Sequence, residues 1–233
     1  MLNFLGIGSC FNVQMGNTSA YYKKGKKLIL FDCGESVFER IIEKNLLDGI
    51  SSIDIYITHF HSDHIGSLPS LIFYLTMILK IKPTIYFPTD TLKSFLNLSG
   101  VSTDLYNHVK IRNIPHQVYF VYQDHSKYIP AFGYILYLDG KYVYYGGDAE
   151  TFNLKNLELA PNKNGMYWED KDIVISNFYI EVTKYQLNAH MNVHELAKIF
   201  PQSTRKFVTT MHFDDEEVME LAKNLGFKVA AIT

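Results

Sequence analysis

The sequence is poor in cysteine, in net charge and in uninterrupted apolar runs. Two cysteines among 233 residues, Cys10 and Cys33, suggest neither a disulfide framework nor a thiolate zinc site. Lysine and arginine number 22 against 24 aspartates and glutamates, a formal net charge of −2. A dedicated polynucleotide binder is usually basic or carries a long basic stripe. The densest basic run, Lys23-Lys24-Gly25-Lys26-Lys27, has a glycine at its centre and reads as a solvated hairpin tip. A small substrate is expected, with no stable nucleic-acid complex. The longest apolar stretch, Ile65 to Ile81, is broken by Gly66, Pro69 and Lys80, so it reads as a core helix and no membrane association is expected. Met1-Leu2-Asn3-Phe4-Leu5 runs into a strand pattern without the order of a signal peptide. A cytoplasmic protein is the expectation. No linker, charge block or repeat interrupts the chain, so residues 1–233 are expected to form a single domain.

What is present is an ordinary globular balance, 47% hydrophobic and 20% charged, with an excess of aromatics (17 Tyr and 16 Phe) that suits a β-rich core. Strand patterns cover Leu2 to Ser9, Thr18 to Tyr22, Lys27 to Asp32 and Ile53 to Thr58. Helical spacing covers Val37 to Leu47 and Leu68 to Leu79. The alternation then repeats. Pro83 to Pro88 is a strand and Thr89 to Leu98 a helix with Thr89 as N-cap. Strands follow at Lys110 to Ile114 and Val118 to Gln123, and Phe132 to Leu138 and Lys141 to Tyr145 form a hairpin across Asp139-Gly140. Ile173 to Ser176 is a strand, Val193 to Phe200 a helix, Phe207 to Met211 a strand. Asp214 to Leu225 is a helix stopped by Gly226, and Lys228 to Ile232 a last strand. Leu159 to Asp170, rich in Pro, Asn and Gly, reads as a mobile loop. The order implies an α/β fold of two mixed sheets packed face to face with helices outside.

The chemistry concentrates in Thr58-His59-Phe60-His61-Ser62-Asp63-His64. Four imidazole or carboxylate side chains within six residues point to a metal site over a chance cluster. In an extended segment His59 and His61 point the same way and can share one ion, while Asp63 and His64 lie past the turn and can reach a second.

This segment resembles the His-x-His-x-Asp-His motif of the metallo-β-lactamase superfamily, whose αββα sandwich is the fold expected here. Further landmarks of that family occur in order: Asp32 ending an early strand, His125 before the Gly133-Tyr134 hairpin, Asp148 after Gly146-Gly147, and His212 ending a late strand. The resemblance implies two Zn2+ ions, with Mn2+ as the alternative. His59, His61 and His125 would hold the first ion; Asp63, His64 and His212 the second; Asp148 would bridge them. His116 is the competitor to His125. Such a pair of ions supplies hydroxide near neutral pH and offsets charge on a phosphoryl oxygen. Asp63 is then also a catalytic candidate that orients or deprotonates the water. His190, where ribonuclease Z-like members place a non-ligand histidine, is the candidate proton donor to the leaving oxygen; a structural role is its alternative. His194 reads as a surface residue, and His108 takes no role.

Gly6-Ile7-Gly8-Ser9 and Gly16-Asn17-Thr18-Ser19-Ala20 resemble the phosphodiesterase branch, meaning ribonuclease Z-like proteins and their relatives. Asn17 and Ser19 either face the site or shape a turn. Bacterial ribonuclease Z carries a tRNA-gripping arm between the third-motif histidine and the bridging aspartate. Here a single hairpin separates His125 from Asp148. The chain looks most like the phage anti-Pycsar family, which opens cyclic mononucleotides. That implies hydrolysis of a 3′,5′-cyclic mononucleotide to a nucleoside monophosphate, in the bacterial host cytoplasm if the chain is phage-encoded. The alternatives are tRNA 3′-processing, hydrolysis of other small esters, and a non-catalytic binding module. Phe11, Tyr134 and Trp168 are candidates for base stacking, with core packing as the alternative. The resemblance also implies a homodimer in which a loop of one subunit closes the other's site.

Overall fold

Long β-branched and aromatic runs, punctuated by glycine and short polar segments, build two sheets. A computed structural model of the chain describes residues 1–110, 113–114, 118–152, 159–186 and 189–233. It divides into two units, Met1–Arg112 with Ala231–Thr233, and Asn113–Ala230.

The first unit holds a six-stranded mixed sheet in sequential order: β1 (Asn3–Gly6), β2 (Ser19–Lys24), β3 (Lys27–Phe31), β4 (Ser52–Tyr56), β5 (Thr84–Tyr86) and β6 (Asn107–Val109). Strands β1 to β3 are antiparallel, and Gly25 (φ +58°) opens the tight β2–β3 turn. Strands β3 to β6 are parallel, so each connection needs a crossover. Helix α1 (Val37–Glu43) supplies the first. Helices α2 (Ser62–Ile65) and α3 (Leu68–Phe73) supply the second, and α4 (Thr91–Leu98) the third. Leu28, Ile29, Leu30 and Phe31 are all buried, the continuous apolar run of a strand covered on both faces.

Several boundaries differ from expectation. Helix α1 stops at Glu43 because Asn45 turns left-handed (φ +50°). Helix α3 passes into a single π-helical turn, Tyr74–Ile78, where Thr76 Oγ1 donates to the Ile72 carbonyl at 2.7 Å. Thr89 does not cap α4: its hydroxyl pairs with that of Thr91 at 2.6 Å. Asp90 holds the cap position, with its carboxylate on Lys110 at 2.6 Å.

The second unit holds nine strands: β7 (Asn113–Ile114), β8 (Val118–Gln123), β9 (Ala131–Leu138), β10 (Lys141–Tyr145), β11 (Leu159–Asn162), β12 (Gly165–Trp168), β13 (Ile173–Glu181), β14 (Val208–Met211) and β15 (Lys228–Val229). The sheet order is β11-β12-β13-β10-β9-β8-β7, with β14 on β13 and β15 on β14. Helices α5 (Val193–Ile199) and α6 (Glu216–Asn224) start at side-chain caps, from Asn192 to the His194 amide (2.9 Å) and from Asp215 to the Val218 amide (3.0 Å). Asp139 (φ +47°) and Gly140 (φ +79°) give the expected β9–β10 turn, both central residues left-handed.

Two expectations fail in this unit. Leu159 to Asp170 is mostly a hairpin, β11 and β12, with Ala160 opposite Tyr167. Pro161 is tolerated because β11 is an edge strand, and Gly165 is required because a Cβ there would stand 2.1 Å from the Ile175 carbonyl oxygen. Strand β13 continues beyond Ser176 to Glu181; the half-buried Ser176 and Asn177 fall where its partner along one edge changes from β12 to β14 and its register with β10 shifts. The core between these elements is aromatic. Phe152 touches Tyr144 (5.3 Å), Phe178 (5.8 Å) and Phe200 (5.4 Å between ring centroids). Among the described residues no helix is long and apolar enough to cross a membrane.

Candidate metal centre

In the first unit the donors cluster where β4 ends and α2 begins. His61 is the last extended residue before α2 (φ −66°, ψ 149°), and Asp63 and His64 sit on that one-turn helix. His59 Nε2 and His61 Nδ1 lie 3.0 Å apart. Two imidazole nitrogens sharing one tetrahedral zinc at about 2.0 Å stand roughly 3.3 Å from each other, so the spacing fits a shared ion. His64 Nε2 and Asp63 Oδ2 are 3.4 Å apart. Gly34 allows this fold-back, since a Cβ on it would fall 1.9 Å from the Asp63 carbonyl oxygen.

Asp32 organises the cluster from behind. It is fully buried and left-handed (φ +59°). Its carboxylate accepts from the Thr58 amide (2.7 Å), the Thr58 hydroxyl (2.9 and 3.1 Å) and His64 Nδ1 (2.9 Å). Burial pushes the Asp32 carboxyl up from its usual range, against the pull of His64 and the Thr58 donors. With the Nδ1 proton of His64 committed to Asp32, the lone pair lies on Nε2.

The second unit supplies a matching set from strand ends. The donor atoms of His125, Asp148, Glu181 and His190 lie within 4.8 Å of one another. His125 Nδ1 donates to the Ala189 carbonyl at 2.6 Å, which again puts the lone pair on Nε2. His212 follows β14 in a left-handed conformation (φ +62°), with its Nε2 3.4 Å from Asp148 Oδ2. His190 Nδ1 bonds Glu181 Oε2 at 2.7 Å, and Glu181 Oε1 accepts from the Ala149 amide at 2.5 Å. Both carboxylate oxygens of Glu181 are thus engaged, which makes it a holder of His190 and not a metal donor. Burial and the neighbouring Asp148 raise the Glu181 carboxyl to about 8. Burial pulls His190 down, but the charge and hydrogen bond of Glu181 outweigh it and raise the imidazole to about 9.

Within each unit the expected residues come together: His59, His61, Asp63 and His64 in the first, His125, Asp148, His190 and His212 in the second. Glu181 escaped the sequence reading; its one signal was a lone acid inside the apolar run Phe178 to Val182. Asn17 and Ser19 shape turns. Asn17 and Ser36 exchange two hydrogen bonds (2.7 and 2.9 Å), and Ser19 donates to the Asp32 carbonyl at 3.0 Å. Tyr134 and Trp168 are core residues, whereas Phe11 and His194 are exposed. His108 hydrogen-bonds the Phe87 carbonyl at 2.9 Å, and His116 lies outside the described residues.

Residues 1–110, nearly the whole first unit, match the family model described as Anti-Pycsar protein Apyc1. Ribonuclease Z of Thermococcus sibiricus is 30% identical over 169 residues, covering 68% of this chain and 53% of that protein. The chain spans between 29% of the Methanosarcina mazei ribonuclease Z and 57% of the Pyrococcus abyssi one, less than two thirds of either. Among solved structures, the metallo-β-lactamase fold protein YhfI from Bacillus subtilis superposes with a TM-score of 0.71 at 14% identity, covering 100% of this chain and 95% of that one. The short form of human tRNase Z gives 0.66 at 18% identity, covering 99% and 95%. Fold and donor set together define a metallo-β-lactamase fold protein whose histidines and aspartates suit a divalent metal. Beyond the fold, the chain is similar to ribonuclease Z proteins and, over residues 1–110, to the anti-Pycsar family.

Proposed function

We propose that the chain is a dinuclear metal-dependent phosphodiesterase acting on 3′,5′-cyclic mononucleotides. In this reading His59, His61 and His125 would hold one ion and Asp63, His64 and His212 the other, with Asp148 as a ligand available to both. The observation that carries it is a shared tautomer. Asp32 on His64 and the Ala189 carbonyl on His125 each take the Nδ1 proton, so both rings offer Nε2 as a ligand. Two divalent ions, zinc or manganese, supply the Lewis acidity that lowers the pKa of water and offsets charge on a phosphoryl oxygen. Asp63 orients the attacking water through its carboxylate. Glu181 fixes the His190 ring and favours its protonated form, so that His190 delivers a proton to the leaving ribose oxygen.

A small substrate is supported by the short β9–β10 hairpin between His125 and Asp148 and by the net charge of −2. The anti-Pycsar match over residues 1–110 points the same way. The second reading, tRNA 3′-processing, draws on the ribonuclease Z relatives. The test is turnover by zinc- or manganese-loaded protein of bis(p-nitrophenyl) phosphate, a panel of cyclic mono- and dinucleotides, and a precursor tRNA. Cyclic mononucleotides should open to nucleoside monophosphates, and His59→Ala and Asp148→Ala should abolish this. Absence of turnover with either metal ends the enzyme reading; cleavage of tRNA alone favours the second. A homodimer belongs to the same proposal, and a monomeric mass in solution would count against it.

A further inference from the structure

Asn192 is buried and its side chain does more than cap α5. Its Oδ1 accepts from the His194 amide (2.9 Å) and the Glu195 amide (3.4 Å), which is the cap. Its Nδ2 donates to the Lys184 carbonyl (3.1 Å) and the Tyr185 carbonyl (3.2 Å). An amide side chain has one end that only accepts and one that only donates, so it fits between these partners one way round. Aspartate and serine cap a helix about as well as asparagine. Neither can cap and also present two protons to a pair of carbonyls. Lys184 and Tyr185, more than the helix, account for asparagine at this position.

Those carbonyls stand on a fixed base. Lys184 Nζ is held by Asp215 (2.8 Å) and Glu217 (2.5 Å) at the start of α6. The Thr183 amide donates to the Met191 carbonyl (2.8 Å) and the Val193 amide to the Thr183 carbonyl (2.9 Å), closing the two ends against each other. The short segment before Asn192 then serves two rings. The Ala189 carbonyl receives the Nδ1 proton of His125, and the His190 ring packs against those of His125 (5.1 Å between centroids) and His212 (5.8 Å). All these residues belong to the second unit.

We infer that Asn192 is a positioning residue, whose amide ties Ala189-His190 to the chain just past β13 and so sets the His125 and His190 rings together. The inference rests on the reading in which His125 holds an ion and His190 supplies a proton. One anchor then serves both tasks, and loosening it disturbs metal binding and the acid step at once.

The test compares Asn192→Asp and Asn192→Ser, which keep the cap and lose the donor, with Asn192→Ala, which loses both. A residue that only caps predicts that Asp and Ser match wild type and Ala alone suffers. A positioning residue predicts that all three are impaired at the site. Two readouts on the zinc-loaded protein need no substrate. Nitrogen-15 NMR should show loss of the slowly exchanging His125 Nδ1 proton in the Asp and Ser variants. Competition against a chromophoric chelator should show one zinc equivalent weakened by about tenfold and the other unchanged. Turnover of a cyclic mononucleotide should fall by roughly 10- to 100-fold, and that of bis(p-nitrophenyl) phosphate, whose leaving group needs no proton, by less. A retained His125 proton and wild-type zinc affinity in both Asn192→Asp and Asn192→Ser overturn the anchor and leave the phosphodiesterase standing. No turnover even by wild type, with the NMR and zinc changes as expected, removes the phosphodiesterase and keeps the anchor.

Discussion

Replacing Asp32 with asparagine isolates the tautomer on which the metal-binding reading depends. Asparagine is close to isosteric and tolerates the left-handed backbone at this position (φ +59°). Its carbonyl oxygen can still accept from the Thr58 amide, now at 2.7 Å. Its amide nitrogen, however, takes the place of the oxygen that receives the His64 Nδ1 proton at 2.9 Å. Two donors would then face each other in a buried site. The relief open to His64 is to move its proton to Nε2, the nitrogen assigned to the metal. Loss of such an outer partner lowers metal affinity by about 10- to 100-fold, equivalent to roughly 1.4–2.7 kcal/mol. Competition titration against a chromophoric chelator measures this directly, and nitrogen-15 NMR of the His64 ring reports the tautomer. One of two zinc equivalents should weaken while the other holds. Two equivalents both within about twofold of wild type, with the His64 proton moved to Nε2, would refute the reasoning.

His190→Ala should cost about 10²- to 10⁴-fold on a cyclic nucleotide, whose ribose oxygen needs a proton, and much less on bis(p-nitrophenyl) phosphate, whose leaving group does not; equal losses on both would remove His190 as the acid. The acid works in its protonated form, present below the raised His190 value of about 9, so kcat/KM for cyclic nucleotides should fall as pH rises through that value. A pH profile of His190→Ala should lack this alkaline limb. Cys33 is buried, and burial pushes its thiol up to about 12, while Cys10 is exposed. Iodoacetamide should therefore alkylate Cys10 in the native protein and reach Cys33 only after denaturation, as mass spectrometry would show. Gly34→Ala should lower the melting temperature and weaken zinc binding together, because the new methyl group would displace the Asp63 carbonyl now 1.9 Å from its position.

The sequence showed most clearly what depends on local pattern. His59, His61, Asp63 and His64 crowd into a few residues, and Asp139-Gly140 dictates its own turn. Residues that act through partners distant in sequence were harder to see. Glu181 acquires its role only when β13 runs on to its end and brings the carboxylate against His190 and the Ala149 amide. The polar pair Ser176-Asn177 looked like the end of a strand because a change of neighbour from β12 to β14 within one continuous strand has no one-dimensional signature. The β11–β12 hairpin looked like a loop because its Pro and Asn content is tolerated at a sheet edge. Asp32 was visible as a landmark, but its service to His64 needed coordinates.

The left-handed backbone at Asp32 and His212 has a consequence for how this protein can be engineered. Each such residue with a Cβ carries a conformational cost of about 1–3 kcal/mol that glycine would largely avoid. The polypeptide would thus relax more easily with its chemistry removed, as a His212→Gly substitution would do. Selecting variants for thermal robustness alone should drift towards inert molecules, and any screen for tougher versions must select for the proposed hydrolysis at the same time.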